Sequence, residues 1–247
     1  MTHGADQSAE PTLVFIHGSG DGAQVWEPLK QALQARKPAL KLLAVDLPGH
    51  GARIADPGPE QVSVRDYAED VLAEMTRQGV SSAILVGHSL GGAIALTLAL
   101  EHADAVRGLV IVGSGARLRV LPSILTATLE RPDEAALEIV LMGYAPGHEA
   151  DARAYVASRP PNAPGMFHRD LAACDVYDIM TDLERIQQPA LMIVGQQDQM
   201  TPPKYAQYLA DHLPSAQLRV IPDAGHYVLR EQPDAVAVVI GGWLSAL

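Results

Sequence analysis

A single cysteine, Cys174, in 247 residues excludes an intramolecular disulfide framework and a cysteine-built metal site. Basic residues are also scarce. Only 18 Lys and Arg stand against 29 Asp and Glu, a formal net charge of −11, so no nucleic-acid partner is expected. Aromatics are 4% of the chain, too few to suggest an aromatic cage. No hydrophobic run reaches the length of a membrane span; the most apolar long stretch, Ala235 to Leu247, reads as a C-terminal helix packing on a sheet. Residues 1–10 lack the basic and apolar regions of a signal peptide, which makes the cytoplasm the expected location. Internal repeats and low-complexity tracts are missing as well. What is present is an ordinary globular composition, 48% hydrophobic and 19% charged, at a length that suits one α/β domain with an insertion.

The apolar pattern alternates between short continuous runs and helical spacing. Thr12–His17 and Ser81–Val86 read as buried strands, and Lys41–Val45, Arg107–Val112, Ala190–Val194 and Gln217–Ile221 as further strands. Helices are expected over Ala23–Ala35, Val62–Gln78, Leu90–Leu100, Lys204–Leu213 and Pro233–Ala246, which is the signature of a parallel sheet covered by helices on both sides. The interval from Arg117 to Gln188 breaks the alternation. It holds no convincing strand, and Leu121–Glu130, Pro132–Gly143, Asp151–Ser158 and Phe167–Met180 read as short helices. Such an interval is too long for an ordinary crossover, so residues 117–188 are expected to form a helical cap over residues 1–116 and 189–247.

One stretch carries chemistry directly. Gly87-His88-Ser89-Leu90-Gly91 is a Gly-x-Ser-x-Gly between a strand and a helix, the context of a nucleophile elbow. A Gly-rich turn opening a packed helix would look the same, so the partners decide. A serine at its free pKa is a weak nucleophile and needs a base, which in turn needs an orienting acid. Asp198 follows the fifth strand and His226 the sixth, in the chain order that elbow enzymes use. Asp175, Asp178 and Asp182 fall in the insertion, where acids are usually solvated, and Asp46 precedes the serine. His102 and His212 lie on flanking helices, His148 and His168 in the insertion, and His88 is expected to pack beneath the serine. The loop His17-Gly18-Ser19-Gly20 should supply the Ser19 N–H to an oxyanion hole completed by the Leu90 N–H. No metal is expected, because His3, His17, His50, His88 and His226 show no paired ligand spacing.

Together His17-Gly18-Ser19-Gly20, Trp26, Asp46-Leu47-Pro48-Gly49-His50-Gly51, Gly87 to Gly92, Gly195 to Asp198 and Gly225-His226 make the chain resemble the α/β-hydrolase family, from Thr12 to the C-terminus. The resemblance implies Ser89 as nucleophile, His226 as base, Asp198 as its orienter, and Ser19 and Leu90 as oxyanion donors. A serine at the elbow also sets the chain apart from relatives that open haloalkanes or epoxides with an Asp there. With about ten residues ahead of the first strand, the two antiparallel edge strands usual in the family are expected to be missing, leaving six parallel strands in the family's order 4-3-5-6-7-8. The strand from Lys41 would then be an edge, exposed in a monomer or covered in a homodimer.

The expected activity is hydrolysis of a carboxylic ester or lactone, a small molecule with a mainly apolar acyl group, through an acyl-enzyme and without a cofactor. Leu125, Leu137, Met142, Tyr144, Tyr155, Met166 and Phe167 are the insertion residues available to line the pocket. The same fold and triad also serve thioester and C–C hydrolases, acyltransferases, perhydrolases and hydroxynitrile lyases, and a hydrolase-like pocket can hold a ligand with vestigial turnover.

Overall fold

Six strands run in one direction: β1 (Thr12–Ile16), β2 (Lys41–Val45), β3 (Ala83–His88), β4 (Val106–Val112), β5 (Ala190–Gly195) and β6 (Ala216–Ile221). They pair in the order β2-β1-β3-β4-β5-β6, all parallel, which is the six-stranded sheet expected from the sequence. The structure, a computed structural model, describes residues 11–247, so the reading of residues 1–10 and of His3 lies outside the described residues. Alternation along each strand divides the core. Val14, Ile16, Leu85, Leu109, Ile111 and Met192 face one layer, and Leu13, Phe15, Ile84, Val86, Val110 and Ile193 face the other. A strand buried on both sides has no polar face to show, hence its continuous apolar reading.

Around the sheet lie α1 (Glu27–Arg36), α2 (Val64–Arg77), α3 (Leu90–Glu101), α8 (Pro203–His212) and α10 (Pro233–Leu244), with a short α9 (Val228–Glu231) that the sequence reading did not anticipate. Helix α2 starts at a capping box, Ser63 accepting from the Asp66 N–H while Asp66 accepts from the Ser63 N–H. The first helix begins later than expected. Ala23–Trp26 forms a 3-10 turn and α1 starts at Glu27, with Pro28 in a first turn where its missing N–H costs nothing.

The insertion supplies α4 (Pro122–Glu130), α5 (Pro132–Gly143), α6 (Glu149–Ser158) and α7 (Met166–Asp175). Helix α7 stops at Asp175, five residues before the expected end, because the next residues turn back onto the root of the insertion. There the Leu118 N–H donates to the Tyr177 carbonyl and the Ile179 N–H to the Ala116 carbonyl, beside an antiparallel bridge between Arg117 and Asp178. The insertion also reaches into both apolar layers, Ala173, Cys174 and Tyr177 on one side and Val140, Tyr144, Ala152 and Tyr155 on the other. Among the described residues no helix is long and apolar enough to cross a membrane.

Candidate active site

Ser89 sits between the last residue of β3 and the first of α3 with φ 52° and ψ −116°, a conformation L-residues rarely adopt. Its neighbours enforce it. A Cβ at Gly87 would lie 2.1 Å from the Gly91 carbonyl oxygen, and one at Gly91 2.1 Å from that of Ile16. Hydrogen bonds then hold the strained residue: its N–H donates to the Val112 carbonyl (3.0 Å), and its carbonyl accepts from the Ser114 hydroxyl (2.7 Å) and the Gly92 N–H (2.9 Å). Leu90, as the first residue of α3, has an N–H with no acceptor inside the helix and stands at the positive end of the helix dipole.

Asp198 and His226 meet as the strand ends predict. The buried Asp198 carboxylate accepts from His226 Nδ1 (2.9 Å), from the Thr201 hydroxyl (2.9 Å), and from the N–H groups of Met200 (2.9 Å) and Thr201 (2.8 Å). A carboxylate only accepts, so the imidazole proton facing it is on Nδ1 and Nε2 is left free as a base. Burial opposes the charge on Asp198, but His226 and the bonds from Thr201 outweigh it and hold the carboxyl below its ordinary range. For His226 burial likewise opposes the imidazolium, and the Asp198 carboxylate more than offsets this, raising the pKa above 6.5.

His88 does more than pack. Its ring lies 4.7 Å from that of His226, and its Nε2–H donates to the His226 carbonyl (3.0 Å) while the His226 N–H donates to the Gly143 carbonyl (2.6 Å). Burial, together with His226, depresses the His88 pKa to about 3, so it stays neutral. The elbow residue before the serine therefore anchors the backbone of the base.

The loop after β1 is fixed at several points. His17 donates through Nδ1 to the Gly18 carbonyl (2.8 Å) and accepts the Leu47 N–H at Nε2 (3.1 Å), and burial beside His50 lowers its pKa to about 4. The Asp21 N–H closes a turn onto the Gly18 carbonyl (3.2 Å), with Gly20 at φ 69° in the third position. The Gly20 N–H donates to Asp170 Oδ2 (2.9 Å), and the Gly20 carbonyl accepts from Asn162 (2.7 Å) and Arg159 (3.3 Å). Asp170, on α7, also accepts from His50 Nε2 (2.9 Å) and from the Tyr67 hydroxyl. Asp21 accepts from the Tyr155 hydroxyl (2.6 Å), and burial raises its carboxyl pKa.

Ser19, Ser89 and His226 face one cavity of about 80 Å³, with Leu118, Val120, Ile139, Leu171 and Phe167 among its apolar walls. Of the insertion residues named as available to line the pocket, Phe167 does so; Leu125, Met142, Tyr144 and Met166 do not. Helix α5 turns Ile139 inward and leaves Met142 41% exposed. Tyr144 stacks on Tyr227 at 5.1 Å behind the base, and Met166 rests against Gly49. Leu125 is half-buried on α4, where the wall is made instead by the segment leading into that helix. Leu137 does not line it either, and Tyr155 is spent on Asp21. Cys174 does line the cavity, its Sγ 3.7 Å from the Ser19 hydroxyl, but burial pushes its pKa up to about 12, which keeps the thiol protonated and inert. Among the described residues the grouping closest to a metal site is Glu69, Glu101 and His102, a cluster on α2 and around the end of α3 whose two acids are exposed.

Thr201, Asp21, Asp170 and Asn162 were not singled out from the sequence. Thr201 had a local signal, standing three residues after Asp198 where its N–H and hydroxyl can both return to that carboxylate. Asp170 had none, being 150 residues from Gly20 and 120 from His50.

A parallel sheet with a strained serine at a strand–helix turn and an acid–base pair at later strand ends defines a hydrolase fold of one kind, and the chain belongs to the alpha/beta hydrolase family, whose model matches residues 13–239. Its relatives are more particular. A pimeloyl-[acyl-carrier protein] methyl ester esterase of Nitrosomonas europaea is 32% identical over 238 residues, covering 87% of this chain and 88% of its own length. The structure of a thermophilic esterase is similar at 33% identity and a TM-score of 0.79, over 96% of this chain and 90% of the other. Est816, an N-acyl homoserine lactone degrading enzyme, is similar at 27% identity and a TM-score of 0.82, over 94% and 93%.

Proposed function

We propose that this chain is a serine carboxylic-ester hydrolase acting on small esters or lactones with a mainly apolar acyl group. The observation that carries the reading is the His226–Asp198 pair, 2.9 Å apart and buried, opening on the same cavity as Ser89 in its strained turn. His226 Nε2 takes the Ser89 proton as the hydroxyl oxygen bonds to the acyl carbon, and Asp198 stabilises the imidazolium that forms. The oxyanion lies between the N–H groups of Ser19 and Leu90. The imidazolium returns its proton to the leaving alkoxide, and water, activated by the same imidazole, releases the acid and regenerates Ser89. No step calls for a cofactor. The insertion acts as the cap over this cavity, and the volume of about 80 Å³, well below the range of roughly 300 to 1,000 Å³ usual for drug-sized ligands, favours a short acyl chain.

The test is turnover of p-nitrophenyl esters of rising chain length, with lactones alongside. Ser89→Ala should lower kcat by about 10⁴ or more with the fold unchanged by circular dichroism, and a fluorophosphonate should label the parent at Ser89 and not the variant. A variant as active as the parent would refute the assignment. Product analysis with water, alcohol and peroxide as acceptors separates hydrolysis from acyl transfer and perhydrolysis on the same triad.

A further inference from the structure

Gly20, the residue that follows Ser19, is gripped by the insertion at both of its peptides. On one side the Gly20 N–H is taken by Asp170 of α7; on the other the Gly20 carbonyl is taken by Asn162 and Arg159, from the stretch between α6 and α7. The ring of Phe167 closes over the glycine, where a Cβ would come within 2.6 Å of it. Ser19 and Gly20 are the two central residues of the turn closed by Asp21 and Gly18, and Gly20 has the positive φ of a type II turn. A turn of that kind has a close alternative in which the central peptide is rotated, so its own closing bond does not fix that peptide's direction. An acceptor outside the turn does.

Asp170 is built for that task. It is fully buried, and its two oxygens are shared among Gly20, His50 and Tyr67. Burial opposes its charge, but His50 and the hydrogen bonds to Tyr67 and Gly20 hold the carboxyl below its ordinary range. Arg169, the next residue, ties the same helix to the loops around it by donating to the Tyr67 hydroxyl (3.0 Å) and to the carbonyls of Pro48 (2.6 Å), Pro57 and Pro59.

We infer that Asp170 is a positioning residue: it holds the Ser19–Gly20 peptide and, through it, aims the oxyanion donor of Ser19. The inference rests on the ester-hydrolase reading of the site. Asp170 touches neither the substrate nor the reacting atoms, so its loss falls on the stage at which the oxyanion forms.

The experiment uses the full chain with the best short p-nitrophenyl ester and a trifluoromethyl ketone, whose hemiketal oxygen occupies the oxyanion hole. Losing one oxyanion donor costs about 10² to 10³ in kcat, so a misaimed donor in Asp170→Leu should lower kcat by about 30- to 300-fold with KM within about threefold. Affinity for the ketone should fall by a similar factor. Asp170→Asn keeps an acceptor for Gly20 and should recover most of the loss, to within about tenfold of the parent. Tyr67→Phe removes a different bond to the same carboxylate and should cost kcat no more than about threefold. The inference is overturned if folded Asp170→Leu keeps kcat within about threefold, shows its loss in KM alone, or is matched by Tyr67→Phe. Should Asp170→Leu fail to fold, Asp170→Ala, which leaves the Gly20 N–H equally without its acceptor, takes its place: kcat lower by about 30- to 300-fold with KM within about threefold supports the inference, and kcat within about threefold of the parent refutes it. Fluorophosphonate labelling of the parent keeps the two ideas apart. If the parent is not labelled at Ser89, the hydrolase reading fails; if it is labelled and the Asp170 variants behave as the parent, only the present inference fails.

Discussion

Ser89, Asp198 and His226 each stand within five residues of the carboxyl end of a parallel strand, whereas Asn162, Phe167 and Asp170 reach Gly20 in the loop beside the cavity from an insertion that the sheet does not order. The first group is placed by backbone that the sheet holds rigid. Its members need only a turn at the right strand, with Gly87 and Gly91 permitting the closest one. The second group is placed by side-chain hydrogen bonds over long separations, such as the 150 residues between Gly20 and Asp170. The proposed reactive groups thus sit at the ends of sheet strands, and the insertion supplies much of the wall and the clamp on one loop.

That contrast can be broken from either side. The largest effect belongs to the strand-end group: Asp198→Asn should lower kcat by about 10³ to 10⁴, because an amide N–H facing Nδ1 forces the imidazole proton onto Nε2, where the base is needed. Single-turnover release of p-nitrophenol would measure it. A loss below about tenfold would show that the pair is not the working acid–base couple.

A smaller effect is the position of the acid limb of kcat/KM, which reports the base in the free enzyme. Since His226 has its pKa raised, it stays protonated to higher pH than a free imidazole, and a protonated imidazole cannot accept the Ser89 proton. Activity should therefore be fully present only above a midpoint higher than pH 6.5 and fall about tenfold per pH unit below it. The residual activity of Asp198→Asn sharpens the point: with that carboxylate gone, burial of His226 is opposed only by the weaker pull of Asp21 and Glu231, and the limb should move to lower pH.

The smallest effect lies in the outer surface of the insertion. Met142 is 41% exposed and off the cavity, so Met142→Ser should leave kcat/KM and chain-length preference unchanged and shift stability by about 0.5 kcal/mol or less, read by thermal denaturation.

Legibility followed the same division. The sheet could be read because a strand buried on both faces, such as Leu85 between one apolar layer and Ile84 on the other, leaves an unbroken apolar run. Asp198 and His226 could be read because glycines and strand ends mark their places. In the insertion the helices could be read but not their orientation. Val176, Tyr177, Ile179 and Met180 extend the apolar pattern of α7, yet residues 177–179 leave the helix to pair with residues 116–118. The same blindness explains Tyr144 and Met166: each is a large apolar residue at a plausible distance in the chain, and only the fold shows that one is drawn behind His226 by Tyr227 and the other under Gly49. The Asp170 cluster was beyond reach, since His50, Tyr67 and Gly20 have no periodic or local relation to it.

The two-sided hold on Gly20 bears on how such a scaffold can be re-engineered. Exchanging the whole insertion for that of a relative is an obvious route to a new substrate range, judged ordinarily by whether the new helices fit. In this chain a transplant must also deliver an acceptor to the Gly20 N–H and a donor to its carbonyl, or the chimera will fold and bind yet turn over poorly. Point changes at Leu118, Ile139 or Leu171 reshape the wall and leave that requirement untouched.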